Sequence, residues 1–401
     1  MAPLKKPVQQ GRRPSTGAST RIYSRENVSR YSERARQKRR GKRIKRGIIC
    51  AVLAVLLGGA GVAGAWVMRV SSNLSGNGYI NNNLLQTLVD TKVEDPFFML
   101  LLGTDGRPGE DTYRSDSIIL ARIDPKEKTA TLISIPRDTK VKYGGSTMKI
   151  NAVHSIDGPE GMVKAVNELC NVKIAHYAEV DFDGMKQLID AVGGIDINVP
   201  EGDGVDDPEA GPVVIESGQQ HMDGEAALTF SRARHQFVDG DYTRMRHQRM
   251  VLGALAKQIL NNVDPGNLVS LVDQLSQMVI TDLGVQDIVS LVNSMRGMDT
   301  DAIYSANLPS WAGEDTMING QSYVFVDEDA LVEMMDRVKA GEDPQGPQTM
   351  SDGSGLTDNQ GGTIADLSAN GSKEWSSGTA STSSSSDSEK DSSSESGSSS
   401  E

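Results

Sequence analysis

Cysteine is nearly absent from this chain, with two in 401 residues, Cys50 and Cys170. Neither a disulfide framework nor a cysteine-built zinc site fits such a count. Histidine is almost as scarce, and the five (His154, His176, His221, His235, His247) follow no metal-ligand spacing. No Gly-x-x-x-x-Gly-Lys-Ser/Thr loop occurs, which argues against a nucleotide-driven enzyme. Internal repeats are lacking too. Three further scarcities divide the chain. Residues 1–46 carry 16 Lys/Arg against 2 Asp/Glu and almost no large apolar side chain, residues 47–68 carry no charge at all, and residues 341–401 carry little that is apolar.

Each absence predicts a state. The first segment reads as a disordered basic tail. Gly47–Met68, rich in Ala, Val, Leu and Gly, is 22 residues long, enough at helical rise for a hydrocarbon layer of ~30 Å. A cleavable signal peptide is the competing reading, but its basic region is much shorter and its apolar core only ~7–15 residues. We therefore expect a retained signal-anchor helix with Trp66 at the interface. The positive-inside rule keeps residues 1–46 cytoplasmic, lying on anionic lipid headgroups of the membrane, and puts everything after Arg69 outside. Nucleic acid is not an expected partner, because no recognisable reading motif accompanies the basic run. Residues 341–401, with the serine run Ser383–Ser386, read as a disordered Ser/Gly/acidic tail. Taking the +14 of the first segment and the −9 of the last from the overall −13 leaves residues 69–340 at −18. An acidic domain that binds an anion must concentrate its cations locally.

After a polar linker over 69–95, residues 96–340 alternate strand and helix patterns, predicting one extracellular α/β domain with a mixed central sheet flanked by helices. Apolar runs at Phe97–Leu102, Ser117–Ile123 and Thr129–Ile135 read as strands, the last two joined at Asp124-Pro125. Helices are expected over Ala152–Cys170, from an Asp181 cap to Ala191 before Gly193-Gly194, and over Asp223–Phe230, Thr243–Asn261, Asn267–Gln277, Val285–Met298 and Asp327–Lys339. Further strands are expected at Tyr177–Val180, Ile195–Val199, Ala302–Leu308 and Ser322–Val326, with a surface loop over Glu201–Pro212.

Chemistry concentrates in four places. Between Ser231 and Met250 stand Arg232, Arg234, Arg244, Arg246 and Arg249. Such closely spaced guanidiniums repel unless an anion or carboxylates sit among them; Asp223, Asp239 and Asp241 are the nearby candidates. Arg244 and Arg246 also open a helix, where the macrodipole disfavours cations and a bound phosphate would relieve the penalty. Gly103-Thr104-Asp105-Gly106-Arg107 follows one strand, Arg114-Ser115-Asp116-Ser117 precedes the next, and Ile135-Pro136-Arg137-Asp138 leaves the hairpin. Asp105 and Asp116 flank a short loop and suit one hard cation, Mg²⁺ or Mn²⁺, completed by substrate phosphate. Arg114 and Arg137 would bring two more forks there. Asp116 and Asp138 have a second reading, as turn caps or as partners of neighbouring arginines, preferred for Asp138 and not for Asp116. Asp241 has two readings, a general base or a helix N-cap. Gln248 shares a helix face with Arg244.

Asp105, Arg114-Ser115-Asp116, Ile135-Pro136-Arg137-Asp138, Arg232-Ala233-Arg234 and Asp241-x-x-Arg244-x-x-x-Gln248-Arg249 resemble, in order and spacing, the LytR-CpsA-Psr proteins, the membrane-anchored glycopolymer ligases of Gram-positive envelopes. The likeness runs from about Phe97 to Leu260. It implies transfer of a glycopolymer from a polyprenyl-pyrophosphate carrier to peptidoglycan, typically the 6-hydroxyl of N-acetylmuramic acid. A phosphodiester forms and polyprenyl phosphate is released. By motif, Asp105 and Asp116 fall at the metal positions, while Arg114, Arg137, Arg232, Arg234, Arg244 and Gln248 fall at positions contacting pyrophosphate and nearby sugar. Lys149 and Asn151 occupy a segment the family also shows near its site. The family's apolar prenyl pocket has a counterpart either lined by, or absent from, the stripe Val251, Leu252, Leu255, Ile259, Leu268, Leu271 and Leu275, which reads first as core. Two other classes compete: a non-catalytic polyprenyl-phosphate-binding envelope regulator, and a Mg²⁺-dependent lipid pyrophosphatase.

Overall fold

The computed structural model describes residues 61–106, 114–264, 266–299, 302–313, 316–344 and 362–363. The basic tail, residues 47–60 of the expected span, Arg107 and nearly all of the C-terminal tail lie outside them. The chain divides into two units, residues 1–69 and 70–401. In the first, residues 61–69 are helical. Among the described residues no helix is long and apolar enough to cross a membrane.

The second unit runs α1 (Asn82–Thr87), β1 (Phe97–Thr104), β2 (Ser115–Asp124), β3 (Thr129–Ser134), β4 (Lys140–Tyr143), β5 (Ser146–Lys149), α2 (Ile150–Cys170), β6 (Ile174–Asp181) and α3 (Phe182–Ala191). It continues with β7 (Ile195–Val199), β8 (Gly218–Met222), α4 (Gly224–Arg232), α5 (Asp241–Lys257), α6 (Leu268–Leu275), β9 (Val279–Thr281), α7 (Val285–Met295) and β10 (Ile303–Asn307). Four two-residue strands, β11 (Ser310–Trp311), β12 (Met317–Ile318), β13 (Gln321–Ser322) and β14 (Phe325–Val326), precede α8 (Glu328–Ala340) and β15 (Gly362–Thr363).

Seven strands form one sheet in the order β15-β10-β3-β2-β1-β6-β9. Its β1–β2 and β2–β3 pairs are antiparallel, whereas β1–β6 and β3–β10 are parallel, giving the mixed sheet that the alternating pattern predicts. Both faces are buried, and the period of two sorts the side chains between them. Leu100, Leu102, Ile118, Leu120 and Ile133 pack on α2 and α8 through Met162, Val163, Val166, Met334 and Val338. Phe97, Met99, Ile119, Ala121 and Leu132 face the opposite layer, with Ile189, Phe230, Met250, Val251 and Leu255. The β2–β3 turn is held by Asp124, whose Oδ1 accepts from the Lys126 and Glu127 N–H groups at 3.2 Å each.

Several elements differ from expectation. β2 begins at Ser115, so Asp116 lies in the strand itself and not in the loop before it. The hairpin β4–β5 and strands β8 and β9 replace what reads as connection, because short polar strands carry no apolar alternation. α2 starts two residues early and is interrupted at Gly158 (φ 58°), ahead of Pro159. The Ser322–Val326 segment splits into β13 and β14. Asp181 does cap α3, accepting from the Gly184 N–H at 2.6 Å.

Candidate active site

The motif residues gather at one end of the central strands. Asp105 directly follows β1, where the β1–β2 register shifts between Gly103 and Thr104. Its Oδ1 accepts from the Arg114 N–H at 3.0 Å. Arg137 and Asp138 occupy the turn after β3. That turn is tied by Thr139, whose hydroxyl donates to the Pro136 carbonyl at 2.6 Å, and by the Asn151 N–H on the Arg137 carbonyl at 3.2 Å. From it, the Arg137 guanidinium reaches Asp116 Oδ1 at 2.6 Å. Arg232 ends α4 and lies over the Phe182 ring at 5.1 Å. Arg244 and Gln248 project from the first turns of α5.

Two hollows meet at the Asp116–Arg137 pair, which lines both. One, of ≈ 280 Å³, is bordered by Arg137, Arg232, Arg234, Arg244 and Gln248, with Glu209 and His235. Among the described residues, four guanidiniums against the two carboxylates Asp116 and Glu209 make its lining net positive. Burial lowers the pKa of Arg244, Asp241 opposes this, and the neighbouring Arg137 and Arg234 charges push it further down. Such crowding is what a bound anion would relieve. The second hollow, of ≈ 770 Å³, is lined by Asp105, Arg114, Asp116, Arg137, Asp138 and Lys149, among others. A narrow apolar cavity of ≈ 80 Å³ adjoins the positive hollow, bordered by Leu101, Phe182, Met185, Leu228, Val251 and Leu252.

Other arginines of the run go elsewhere. Arg246 is buried on an ion pair with Asp203, and Arg249 donates to Ser134 Oγ at 2.7 Å and Asn307 Oδ1 at 2.6 Å beneath the sheet. The nearby carboxylates also divide. Asp223 caps α4, Asp239 accepts from the Thr243 hydroxyl, and Asp241 ion-pairs with Arg244 at 2.6 Å. Asp241 is the first residue of α5 and not its cap; Gly240 (φ 44°) holds that position, and Asp241 lines neither hollow. Asp138 pairs with Lys149 at 3.0 Å, not with an arginine. Of the apolar stripe, Leu255, Leu268 and Leu271 are core, and only Val251 and Leu252 reach the apolar cavity. Phe182, Glu209, His235, Gln321 and Tyr323 border the hollows without any motif to announce them.

Among the described residues no group of three or more His, Cys, Asp or Glu could hold a metal, so no all-protein cage is present. The Asp105–Asp116 pair nonetheless suits Mg²⁺. Asp105 uses Oδ1 on the Arg114 N–H and Asp116 uses Oδ1 on Arg137, which leaves each an oxygen, and Mg²⁺ characteristically keeps waters and takes substrate phosphate as its other ligands.

The site thus sets guanidinium forks beside two strand-end carboxylates on a mixed α/β scaffold. The model of the LytR_cpsA_psr family matches residues 70–340, and the chain belongs to that family. It is 32% identical over 262 residues to the polyisoprenyl-teichoic acid–peptidoglycan teichoic acid transferase TagV of Bacillus subtilis, covering 62% of this chain but only 64% of that protein's length. Biofilm regulatory protein A of Streptococcus mutans is likewise 32% identical, with 64% of its length spanned. The transferase TagU of Enterococcus faecalis is 29% identical over 75% of this chain and 97% of its own. Among solved structures, B. subtilis TagV superposes with a TM-score of 0.56 at 28% identity, covering 62% of this chain and 97% of that one. TagT bound to LI-WTA gives 0.53 at 25%, covering 65% and 96%.

Proposed function

We propose that this chain is a single-pass, outward-facing ligase that transfers a glycopolymer from a polyprenyl-pyrophosphate carrier to peptidoglycan. The observation that carries the reading is the convergence of Arg137, Arg232, Arg234 and Arg244 on one hollow beside Asp105 and Asp116. Relatives named as teichoic acid transferases to peptidoglycan support it. Phosphoryl transfer asks the protein mainly for positioning and charge neutralisation. The guanidiniums, with Arg114 and Gln248, would grip pyrophosphate oxygens and nearby sugar, and the anhydride itself supplies the driving energy outside the cell. The acceptor hydroxyl, taken as the 6-hydroxyl of N-acetylmuramic acid, bonds to the glycan-side phosphorus. The anhydride bond breaks toward the carrier, polyprenyl phosphate departs, and the hydroxyl proton leaves to a base. Bound at Asp105 and Asp116, Mg²⁺ or Mn²⁺ would supply charge neutralisation at the phosphates. Asp241, paired with Arg244, is better suited to orienting that guanidinium than to accepting the proton. The apolar cavity beside Phe182 offers the start of a prenyl path.

The deciding assay gives the full-length protein a labelled lipid-pyrophosphate oligosaccharide, Mg²⁺ and soluble peptidoglycan strands, and resolves products by mass. Each charge-assisted contact of the clamp is expected to contribute roughly 1.5–3 kcal/mol. Changing Arg137, Arg232, Arg234 or Arg244 to Ala should then reduce turnover about ten- to a hundredfold. Lys should rescue poorly, since it lacks the fork. Asp105→Ala, Asp116→Ala and chelator should each abolish transfer. Free oligosaccharide phosphate formed equally without acceptor would identify a pyrophosphatase. Donor binding with no product would identify a regulator, a role that the name of the S. mutans relative keeps in view.

A further inference from the structure

The larger hollow differs in kind from the positive one. Among the described residues its charged lining balances, with Asp105, Asp116 and Asp138 against Arg114, Arg137 and Lys149. Beyond the edge where Asp105, Arg114, Asp116 and Arg137 would serve the phosphates, that lining is the Asp138–Lys149 ion pair alone, which does not select an anion. This part of the cleft suits a neutral, hydroxyl-rich ligand met by planar polar groups and an aromatic face. The cleft supplies both. Asn151 and Gln321 bring amides, and Tyr323 brings its ring, with Lys149 Nζ 5.9 Å from the ring centroid.

Tyr323 and Gln321 come from a small lobe, Ser310–Val326, that is registered on the site by backbone bonds. The Val324 N–H donates to the Asp138 carbonyl at 2.9 Å, and the Lys140 N–H donates to the Val324 carbonyl at 2.8 Å. The lobe is therefore tied directly to the turn that carries Arg137. In-line displacement needs the nucleophile on the side of the phosphorus opposite the leaving group. If the pyrophosphate occupies the positive hollow, the space across the shared Asp116–Arg137 pair is the balanced cleft.

We propose that this cleft is the acceptor subsite: it holds a peptidoglycan glycan strand, with Tyr323 and Gln321 determining specificity for the acceptor. The proposal rests on the ligase reading above. It predicts a split between the two substrates that a merely structural role would not produce. In the full-length protein, Gln321→Ala and Tyr323→Ala should raise the acceptor KM roughly five- to tenfold, the scale of one lost hydrogen bond or ring contact, with donor KM unchanged. Tyr323→Phe, which keeps the ring face, should restore most of the loss. Tyr323 is buried, so its Ala variant risks misfolding, whereas Gln321 is exposed and carries the test alone if donor binding by Tyr323→Ala is lost.

Direct binding of soluble, uncrosslinked glycan strands keeps the outcome separate from catalysis. Weaker strand binding by Gln321→Ala supports the subsite even if wild-type protein transfers nothing, an outcome that would remove the ligase reading alone. An acceptor KM and strand affinity that do not respond to Gln321→Ala would overturn the subsite while transfer by the wild type left the ligase reading intact. A donor KM that rises in its place would overturn it too, assigning the cleft to the carrier's own glycan.

Discussion

Arg244 and Arg246 stand two residues apart on α5, and both are buried, but they meet different surroundings. Arg244 borders the positive hollow and pairs with the half-buried Asp241, whereas Arg246 is held by Asp203, which is fully buried. Burial alone would raise the Asp203 carboxyl, but His247 and Arg246 outweigh it and hold the group well below the usual carboxylate range. The sequence displays the arginines as one cluster. It does not display the division, because the partner of Arg246 lies in an acidic loop some forty residues earlier, indistinguishable there from solvated surface. Removing that partner should be costly in a way that removing a site arginine is not. Asp203→Ala removes the buried carboxylate that pairs with Arg246 and should destabilise the domain by about 3–5 kcal/mol. Arg244→Ala should leave stability nearly unchanged while weakening donor binding. Denaturant unfolding of both variants checks this, and equal losses of stability would erase the distinction between clamp and core.

Strand β6 makes a similar point at the scale of an element. Only Tyr177–Val180 is legible as strand, because Ile174–His176 and Asp181 dilute the β-branched pattern, yet the full strand pairs along β1 and carries a carboxyl into the interior. Glu179 is buried between Thr104 and the Tyr177 hydroxyl, which donates to it, and His154 Nε2 lies 3.7 Å away. Burial pushes His154 down to about 4, so near neutral pH it offers no countercharge. Burial, opposed by Thr104 and reinforced by Asp181, pushes Glu179 up to about 8. The folded state thus keeps a proton that the unfolded chain, with an ordinary carboxyl, has lost. Between the ordinary value and about 8 the folded form binds more protons, so stability should fall as pH rises across that window and level off above it. Glu179→Gln should flatten the slope, matching wild type near pH 5 and exceeding it near pH 8 on the ordinary carboxylate scale. Melting temperatures across the range test this, and parallel curves for the two proteins would show Glu179 ionised in the fold. Longer elements were readable where apolar period and cap agreed, as in β1 to β3, α3 and α8. Of the lobe of β11 to β14 only Ser322–Val326 was, and then as one strand and not two, since two-residue strands are fixed by tertiary hydrogen bonds with no periodic signal of their own.

At the scale of the whole molecule the governing feature is the separation of charge along the chain, +14 over residues 1–46 and −18 over residues 69–340, on either side of an uncharged stretch of 22 residues. We propose that this separation fixes orientation. Lys and Arg flanking a span remain on the cytoplasmic side, and acidic residues contribute little to that choice. The domain bearing the clamp then faces the compartment that holds peptidoglycan. Its acidity would repel the anionic carrier proposed above at long range and leave capture to the four guanidiniums of the positive hollow, an effect that added salt screens over about 10 Å at 0.1 M. Orientation is directly measurable. Protease added to intact protoplasts should digest the region beyond Arg69 and spare a small basic fragment still bound to the membrane, detectable by a tag fused near residue 1. Replacing the Lys and Arg residues between Arg34 and Arg46 with Gln should weaken the bias and leave a fraction of the domain protected. A domain wholly resistant to protease in intact protoplasts would place the clamp on the side away from peptidoglycan and remove the ligase reading with it. A mature protein that begins beyond Ala65 would instead identify the apolar stretch as a cleaved signal, keeping the domain outside but without its anchor.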